Sequence, residues 1–208
     1  MHPGTIEYYD TNAERFVSST VGADMGPLLS AFLGLVPRGG RVLDWGCGSG
    51  RDTLSMVSAG YEVVPTDLSN AMADATEALT GLAVRREAFS DLDDVGAFDG
   101  IWASASLLHA TSGELPGILA KATRALKPNG VLYVSFKLGS FEGERNGRWF
   151  NDMDEVVLRE VVSVVDGLTI ERVWTSADVR PGRSREMWLN AILRKDMTSL
   201  DREGVSNG

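Results

Sequence analysis

A glycine-rich bend in this sequence is flanked by carboxylates. The run Val42-Leu43-Asp44-Trp45-Gly46-Cys47-Gly48-Ser49-Gly50 passes from a strand-like apolar stretch into a segment with helical spacing that begins near Asp52. Glycines there let the backbone turn tightly and let a ligand approach atoms that a β-carbon would shield. In open parallel sheets this junction is where nucleotides bind. Two residues narrow the choice of ligand. The dinucleotide fingerprint wants glycine at the last position of G-x-G-x-x-G, and Arg51 stands there instead. Asp44, two residues before Gly46, sets a negative charge beside anything held over the loop, which opposes a pyrophosphate and suits a cation.

A second acid, Asp67, ends the next strand-like run, Val64-Pro65-Thr66. An acid at that tip is placed to accept hydrogen bonds from both ribose hydroxyls of an adenosine. Adenosine plus a positive charge describes S-adenosylmethionine, with its ammonium and sulfonium. Asp67 also precedes Leu68-Ser69-Asn70, so a helix-capping role competes with the ribose role. Methyl transfer from a sulfonium demands that a nucleophile be held in line and water excluded. A hydroxyl or protonated amine acceptor also needs a base, and His109 is the candidate catalytic residue because its imidazole titrates near neutrality. A buried imidazole bonded to a backbone carbonyl is the competing account, and a soft acceptor such as a thiolate needs no base. Arg148, in a polar stretch from 137 to 150, and Arg180 and Arg183, in the run Arg180-Pro181-Gly182-Arg183-Ser184-Arg185, are candidates to hold an anionic acceptor. Surface salt bridges are the alternative for these arginines.

These groups need a scaffold that brings strand tips together. Runs rich in Val, Ile, Leu and aromatics recur at 41–45, 61–66, 82–87, 98–103, 131–137, 168–175 and 186–194. Helical spacing appears at 52–59, 71–79, 115–126 and 153–165, each followed by a glycine or proline stop. The alternation predicts an α/β, Rossmann-like fold: a seven-stranded, mostly parallel sheet with helices on both faces, closed by an antiparallel C-terminal hairpin. Residues 5–34 read as helical, with Ile6, Tyr9, Ala13 and Phe16 on one face, either a lid or a cover for the sheet. The expected layout is one domain over 1–208, with a helical cover at 1–38, the core at 39–195 and a flexible tail at 196–208.

Composition agrees with a globular enzyme or binding domain. The 208 residues carry 43% apolar side chains, no run approaches a membrane span, and the first residues lack a signal-peptide pattern. One cysteine, Cys47, cannot form an internal disulfide or a sulfur-rich zinc site, so a cytoplasmic setting and no metal are expected. A net charge of -9 opposes a polyanion, so the expected partner is a small molecule rather than nucleic acid or membrane, in a monomer or homodimer.

The residues from Val42 to Asp52, Asp67-Leu68-Ser69 with Met72, Phe98-Asp99-Gly100-Ile101-Trp102-Ala103, and Leu126-Lys127-Pro128-Asn129-Gly130 resemble the motifs of class I S-adenosylmethionine-dependent methyltransferases over nearly the whole chain. The stretch from Ile101 through Leu107-Leu108-His109 is similar to small bacterial methyltransferases of the tellurite-resistance type. Trp45 and Asn129 depart from the usual pattern. The resemblance implies that Asp44, Gly46, Cys47, Gly48 and Gly50 line the methionine portion, Asp67 the ribose, and Leu68 and Met72 the adenine. It also implies that Ala88, Phe89 and Ser90 address the adenine edge, Ala103 and Ser104 lie beneath the sulfonium, and Tyr9 joins the cofactor contacts. For Phe89 a core position is an equal alternative. The implied activity is methyl transfer by in-line displacement, with S-adenosylhomocysteine as product. A noncatalytic domain that binds the cofactor or its product, and a tRNA-modifying methyltransferase, are the competing readings.

Overall fold

The computed structural model describes residues 2–180 and 182–197, so most of the tail expected at 196–208 lies outside the described residues. The N-terminal stretch is three helices rather than one: α1 (Pro3–Thr11), α2 (Ala13–Thr20) and α3 (Gly26–Leu33). Pro3 and Pro27 sit in the first turns of α1 and α3, where a locked φ fits and a missing N–H is not needed. Asn12 leaves helical geometry with ψ near 21° and separates α1 from α2.

The core then alternates as β1 (Arg41–Trp45), α4 (Arg51–Ser58), β2 (Glu62–Thr66), α5 (Asn70–Thr80), β3 (Phe98–Ala103), α6 (Leu115–Ala125) and β4 (Leu126–Lys137). It ends with β5 (Glu142–Arg145), β6 (Arg148–Asn151), α7 (Glu155–Ser163), β7 (Leu168–Ala177) and β8 (Met187–Lys195). The main sheet has the order β2-β1-β3-β4-β8-β7. Strands β1 to β4 pair in parallel, whereas β8 is antiparallel to both β4 and β7, giving the expected C-terminal hairpin at one edge. Because β2 and β3 lie on opposite sides of β1, the chain reverses direction across the sheet there, and a crevice opens beyond the carboxyl ends of β1 and β3.

The sheet is mixed α/β as expected, with one strand fewer than the seven read from the sequence. The run at 82–87 contributes only the parallel bridge between Thr66 and Arg85. It lies at the outer edge beside β2, and Arg85 and Arg86 turn to Asp94 and to Asp74 and Glu77. Short, charged segments are how open sheets end without inviting further pairing. The polar stretch expected to overhang the pocket is a separate two-stranded ribbon, β5 with β6, turned at Asn146 (φ 54°) and Gly147 (φ 77°).

Alternation along the strands divides the core. Leu43, Ile101, Leu132 and Leu193 pack with Leu119 of α6 and Leu158 of α7. Val42, Trp102, Tyr133 and Ile192 face the other way, onto Phe32 of α3 and Met56 of α4. On that second face the Trp102 and Tyr133 rings stack with centroids 3.9 Å apart. Gly100, two residues earlier on β3, is what lets α3 come this close. A β-carbon there would lie 2.7 Å from Phe32 Cζ and 2.8 Å from Val36 Cγ2. Gly100→Ala is therefore expected to destabilise the fold by about 1 to 3 kcal/mol. Urea unfolding should show a lower midpoint at an unchanged slope, and an unaltered midpoint would mean that α3 is not seated tightly on this face.

Candidate active site

The loop after β1 is held from three sides. The N–H groups of Gly46 and Cys47 both donate to the Thr66 carbonyl at the tip of β2, at 2.9 Å each. Gly48 donates its N–H to Asp67 Oδ2 at 2.9 Å, and Thr76 Oγ1 of α5 donates to the Gly48 carbonyl at 3.0 Å. Gly46, at φ 87°, is indispensable for close approach, since a β-carbon would sit 2.5 Å from Ser106 Cβ in the loop after β3. Gly50 serves packing instead: a β-carbon would meet the Thr76 backbone at 3.0 Å.

Three acids gather at this end of the sheet. Asp44 is buried and accepts a 2.5 Å hydrogen bond from Thr53 Oγ1. Burial, reinforced by the nearby charge of Asp52, pushes its carboxyl up to about 8. Asp52 is itself buried but compensated, by a bidentate pair of bonds from Arg51 at 2.7 and 2.9 Å and one from Trp102 Nε1 at 2.9 Å. Asp67 accepts the N–H of Gly48 through Oδ2 and that of Ser69 through Oδ1, the second at 2.9 Å. Burial raises its carboxyl to about 6, against the lowering effect of those two bonds. Each Asp67 oxygen retains acceptor capacity. The helix cap itself falls to Ser69, whose Oγ accepts the Met72 N–H at 3.2 Å.

Across the crevice, β6 and α1 form a second, aromatic compartment. His109 lies in a 3-10 turn, Leu107–His109, with only 4% of its surface exposed. Its Nδ1 is 2.6 Å from the Trp149 carbonyl and its Nε2 is 2.9 Å from the Tyr9 hydroxyl. A carbonyl can only accept, so Nδ1 carries the proton and Nε2 accepts from Tyr9. Burial, opposed by the Trp149 bond and aided by the Arg148 charge, pushes the imidazole down to about 4. The Tyr9 phenol is raised by burial, with Arg148 working the other way. Arg148 lies over the ring of Tyr8 at 4.3 Å and near that of Phe150 at 5.0 Å. Ala105, between the two compartments, has φ 52° and is fixed by its N–H to Ser135 Oγ at 2.8 Å.

One cavity of about 1020 Å³ joins both compartments. Of the cofactor candidates, Tyr9, Asp44, Gly46, Cys47, Gly48, Asp67, Leu68, Met72, Phe89 and Ser104 line it. Gly50, Ala88, Ser90 and Ala103 do not; Ala103 is fully buried in the core beneath, and Ser90 points its hydroxyl to Asp91. His109, Arg148, Arg180 and Arg183 line it as well. Phe89 is both core and lining, edge-on to Trp45 at 5.2 Å. Two of the arginines are already partnered: Arg180 grips the buried Asp178, and Arg183 lies 3.6 Å from Glu186, which Lys137 also holds. Sequence reading missed Phe16, which covers the loop 3.6 Å from where a Gly48 β-carbon would be, and Glu87, whose buried Oε1 has no hydrogen-bond partner. The helical stripe containing Phe16 was a usable signal for the first. Nothing in the sequence distinguished the second. Cys47 is buried, and its thiol is pushed up by that burial, so it is not a nucleophile.

Residues 42–130 match a family model described as a methyltransferase domain. No curated protein matches the chain. Among solved structures it is similar to an S-adenosylmethionine-dependent methyltransferase from Methanosarcina mazei, at 18% identity and TM-score 0.72 over 84% of this chain and 100% of that one. It is also similar to the 1,6-didemethyltoxoflavin-N1-methyltransferase of Burkholderia thailandensis, solved with 1,6-didemethyltoxoflavin and S-adenosylhomocysteine, at 24% identity and TM-score 0.71 over 92% of this chain and 85% of that one. A TehB-like methyltransferase from Corynebacterium glutamicum aligns at 22% identity and TM-score 0.67 over 94% of this chain and 100% of that one. The chain thus has the fold of the class I S-adenosylmethionine-dependent methyltransferases, and residues 42–130 match the methyltransferase-domain model.

Proposed function

We propose that the protein transfers a methyl group from S-adenosylmethionine to a small-molecule acceptor. The observation that carries this reading is the cradle itself: a loop open at Gly46 and Gly48, with the under-compensated carboxylates Asp44 and Asp67 on the same cavity. Asp44 suits the ammonium, Asp67 the ribose hydroxyls, and Leu68 with Met72 the adenine faces. Glu87, whose Oε1 makes no hydrogen bond and has only the Arg85 guanidinium 3.9 Å away, suits the exocyclic amine of the base. Held by these residues, the cofactor would supply an electrophilic methyl carbon on a sulfonium for displacement by the acceptor's lone pair, with S-adenosylhomocysteine as the leaving group. What remains for the chain is to orient the acceptor and exclude water. Drug-sized ligands occupy pockets of roughly 300 to 1000 Å³, so a cavity of about 1020 Å³ has room for a cofactor and a small acceptor together. The lone buried thiol agrees with a reducing cytoplasmic setting.

We assign His109 a positioning role. With Nδ1 bonded to Trp149 and Nε2 to Tyr9, it fixes the Tyr9 hydroxyl, which also receives a long 3.4 Å contact from Arg148 Nη1. This arrangement favours an acceptor atom that carries a free lone pair at neutral pH, such as a ring nitrogen, a thiolate or a carboxylate. In the cluster at 180–185, Arg180 is neutralised by Asp178 and Arg183 lies 3.6 Å from Glu186.

Calorimetry should detect uptake of S-adenosylmethionine and S-adenosylhomocysteine, and folded protein that takes up neither would overturn the proposal. Formation of S-adenosylhomocysteine with a panel of acceptors separates turnover from mere binding. Asp67→Ala should weaken cofactor binding by about tenfold or more, the scale of a lost hydrogen bond to a charged group, and lower stability by about 1 to 3 kcal/mol because Gly48 and Ser69 lose their acceptor. Unchanged affinity would refute the ribose assignment. Asp44, protonated below about 8 in the free protein, is drawn into its ionised form by a bound ammonium. Binding should therefore release a proton at neutral pH, and affinity should rise with pH up to about 8. Titrations in buffers of different ionisation enthalpy would reveal the proton, and none released would count against the ammonium site. Finally, with the cofactor saturating, His109 should contribute no inflection to turnover near 6.5; its own effect comes only as pH approaches about 4, where the charged imidazole can no longer accept from Tyr9. An inflection near neutrality that disappears in His109→Gln would restore it as the base.

A further inference from the structure

Seven cationic side chains line the cavity: Arg15, Arg51, Lys137, Arg145, Arg148, Arg180 and Arg183. Five have carboxylate partners. Arg51 is bound to Asp52, Lys137 and Arg183 to Glu186, Arg145 to Asp152, and Arg180 to Asp178. Of the other two, Arg15 is exposed on α2, at the cavity mouth. Arg148 is half-buried, its guanidinium makes one long hydrogen bond, from Nη1 to the Tyr9 hydroxyl at 3.4 Å, and no salt bridge joins it to a carboxylate among the described residues.

A guanidinium in that condition keeps strong donors for a ligand. The walls around it are rings: Tyr8 and Phe150 lie within 4.3 and 5.0 Å of its centre, and Tyr9 at 5.7 Å. Such faces hold the cation in place, and the one hydrogen bond they offer it is the long 3.4 Å one from Nη1 to the Tyr9 hydroxyl. The cofactor cradle lies beyond Tyr9, whose ring meets Phe16 edge-on at 5.0 Å, and Phe16 in turn covers Gly48. Arg148 is therefore separated from the glycine loop by two aromatic rings, on the side left for the acceptor.

We propose that Arg148 is the anion anchor of the acceptor site, and that the acceptor is a small, flat, aromatic carboxylate or a similar planar organic anion. The proposal rests on the methyltransferase reading above and adds the substrate class. Of the other arginines read from the sequence, Arg180 is bound to the buried Asp178, and Arg183 is half exposed and shares Glu186 with Lys137 rather than standing among the rings.

The test uses the full chain saturated with S-adenosylhomocysteine, with benzoate as anionic probe and benzamide as its neutral counterpart, each titrated by ligand-observed NMR. Benzoate should bind at least about tenfold more tightly than benzamide, the scale of one charge-assisted hydrogen bond. Arg148→Gln should abolish that preference and leave S-adenosylhomocysteine affinity within about twofold, whereas Arg148→Lys, which keeps the charge, should retain part of it. Circular dichroism of both variants checks that they are folded. Equal binding of the two probes, or no benzoate binding, would overturn the proposal, as would an Arg148→Gln protein that still prefers benzoate. A loss of about tenfold or more in S-adenosylhomocysteine affinity would also overturn it, by assigning Arg148 to the cofactor's own carboxylate. Failure of the wild-type protein to bind S-adenosylhomocysteine at all would instead strike the underlying function.

Discussion

Two carboxylates, Asp44 and Asp52, are buried at the same end of the sheet, and removing such groups from water is costly unless something compensates the charge. Asp52 is compensated within the chain. Arg51 grips it with two bonds, Trp102 adds a third, and the remaining reach of the guanidinium goes to the Thr20 carbonyl at the end of α2, at 3.2 Å. The residue that spoils a dinucleotide fingerprint therefore neutralises a buried acid and ties the helical cover to the loop. Asp44 is left with a hydroxyl and a like-charged neighbour. It is stable as a neutral acid, or as an anion once a cation arrives from outside. The preference for a cationic ligand follows from that imbalance.

The same economy of contacts governs α1. Only Thr5 of this helix is buried, so little apolar surface holds it down. Polar latches hold it instead. Thr5 Oγ1 accepts the Trp149 N–H at 2.9 Å, Tyr9 meets His109, and Asp10 accepts from Ser69 Oγ at 2.6 Å and from the Ala71 N–H at 3.2 Å. Ser69 in turn donates its N–H to Asp67, which holds Gly48. Adjacent residues of one helix thus reach the aromatic compartment through Tyr9 and the glycine loop through Asp10. A segment held by a few polar contacts opens at less cost than one seated in the core, which suits a cover over a ligand cavity.

Local features of the site were legible in the sequence, and non-local ones were not. The glycine loop, Asp44 and Asp67 declare themselves because the bend, its flanking strand and its helix are contiguous. The alternation of elements gave the parallel sheet and the C-terminal hairpin for the same reason. The run at 82–87 has strand composition, but whether it pairs depends on a neighbour at the sheet edge, and its arginines found acids instead. The ribbon at β5 and β6 was signalled by Asn146-Gly147, a turn pair that a count of polar residues hides. His109 illustrates the deeper limit. Its chemistry is set by Tyr9, one hundred positions earlier, and by a carbonyl forty positions later. Likewise, three arginines of similar appearance differ only in which acids the fold brings to them.

The resulting distribution of charge gives the cavity a direction. Its loop end carries Asp44 and Asp67, raised by burial to about 8 and about 6, and Glu87, raised by burial as well. Its other end carries Arg148 without a counter-ion, in a protein whose net charge of -9 reports neither end. Under the proposed function, a cation would be held at the loop end, where it draws Asp44 into its ionised form, and an anion at the Arg148 end. In the proposed reaction, transfer of a methyl group from a sulfonium to an anionic acceptor would remove charge from both at the reacting centre. Opposite charges held together in a site of low polarity gain from that mutual neutralisation, because the desolvation each suffered on binding is relieved as the bond forms. Such a site needs little from a base. That agrees with a histidine whose two nitrogens are already engaged and whose proton affinity burial has lowered.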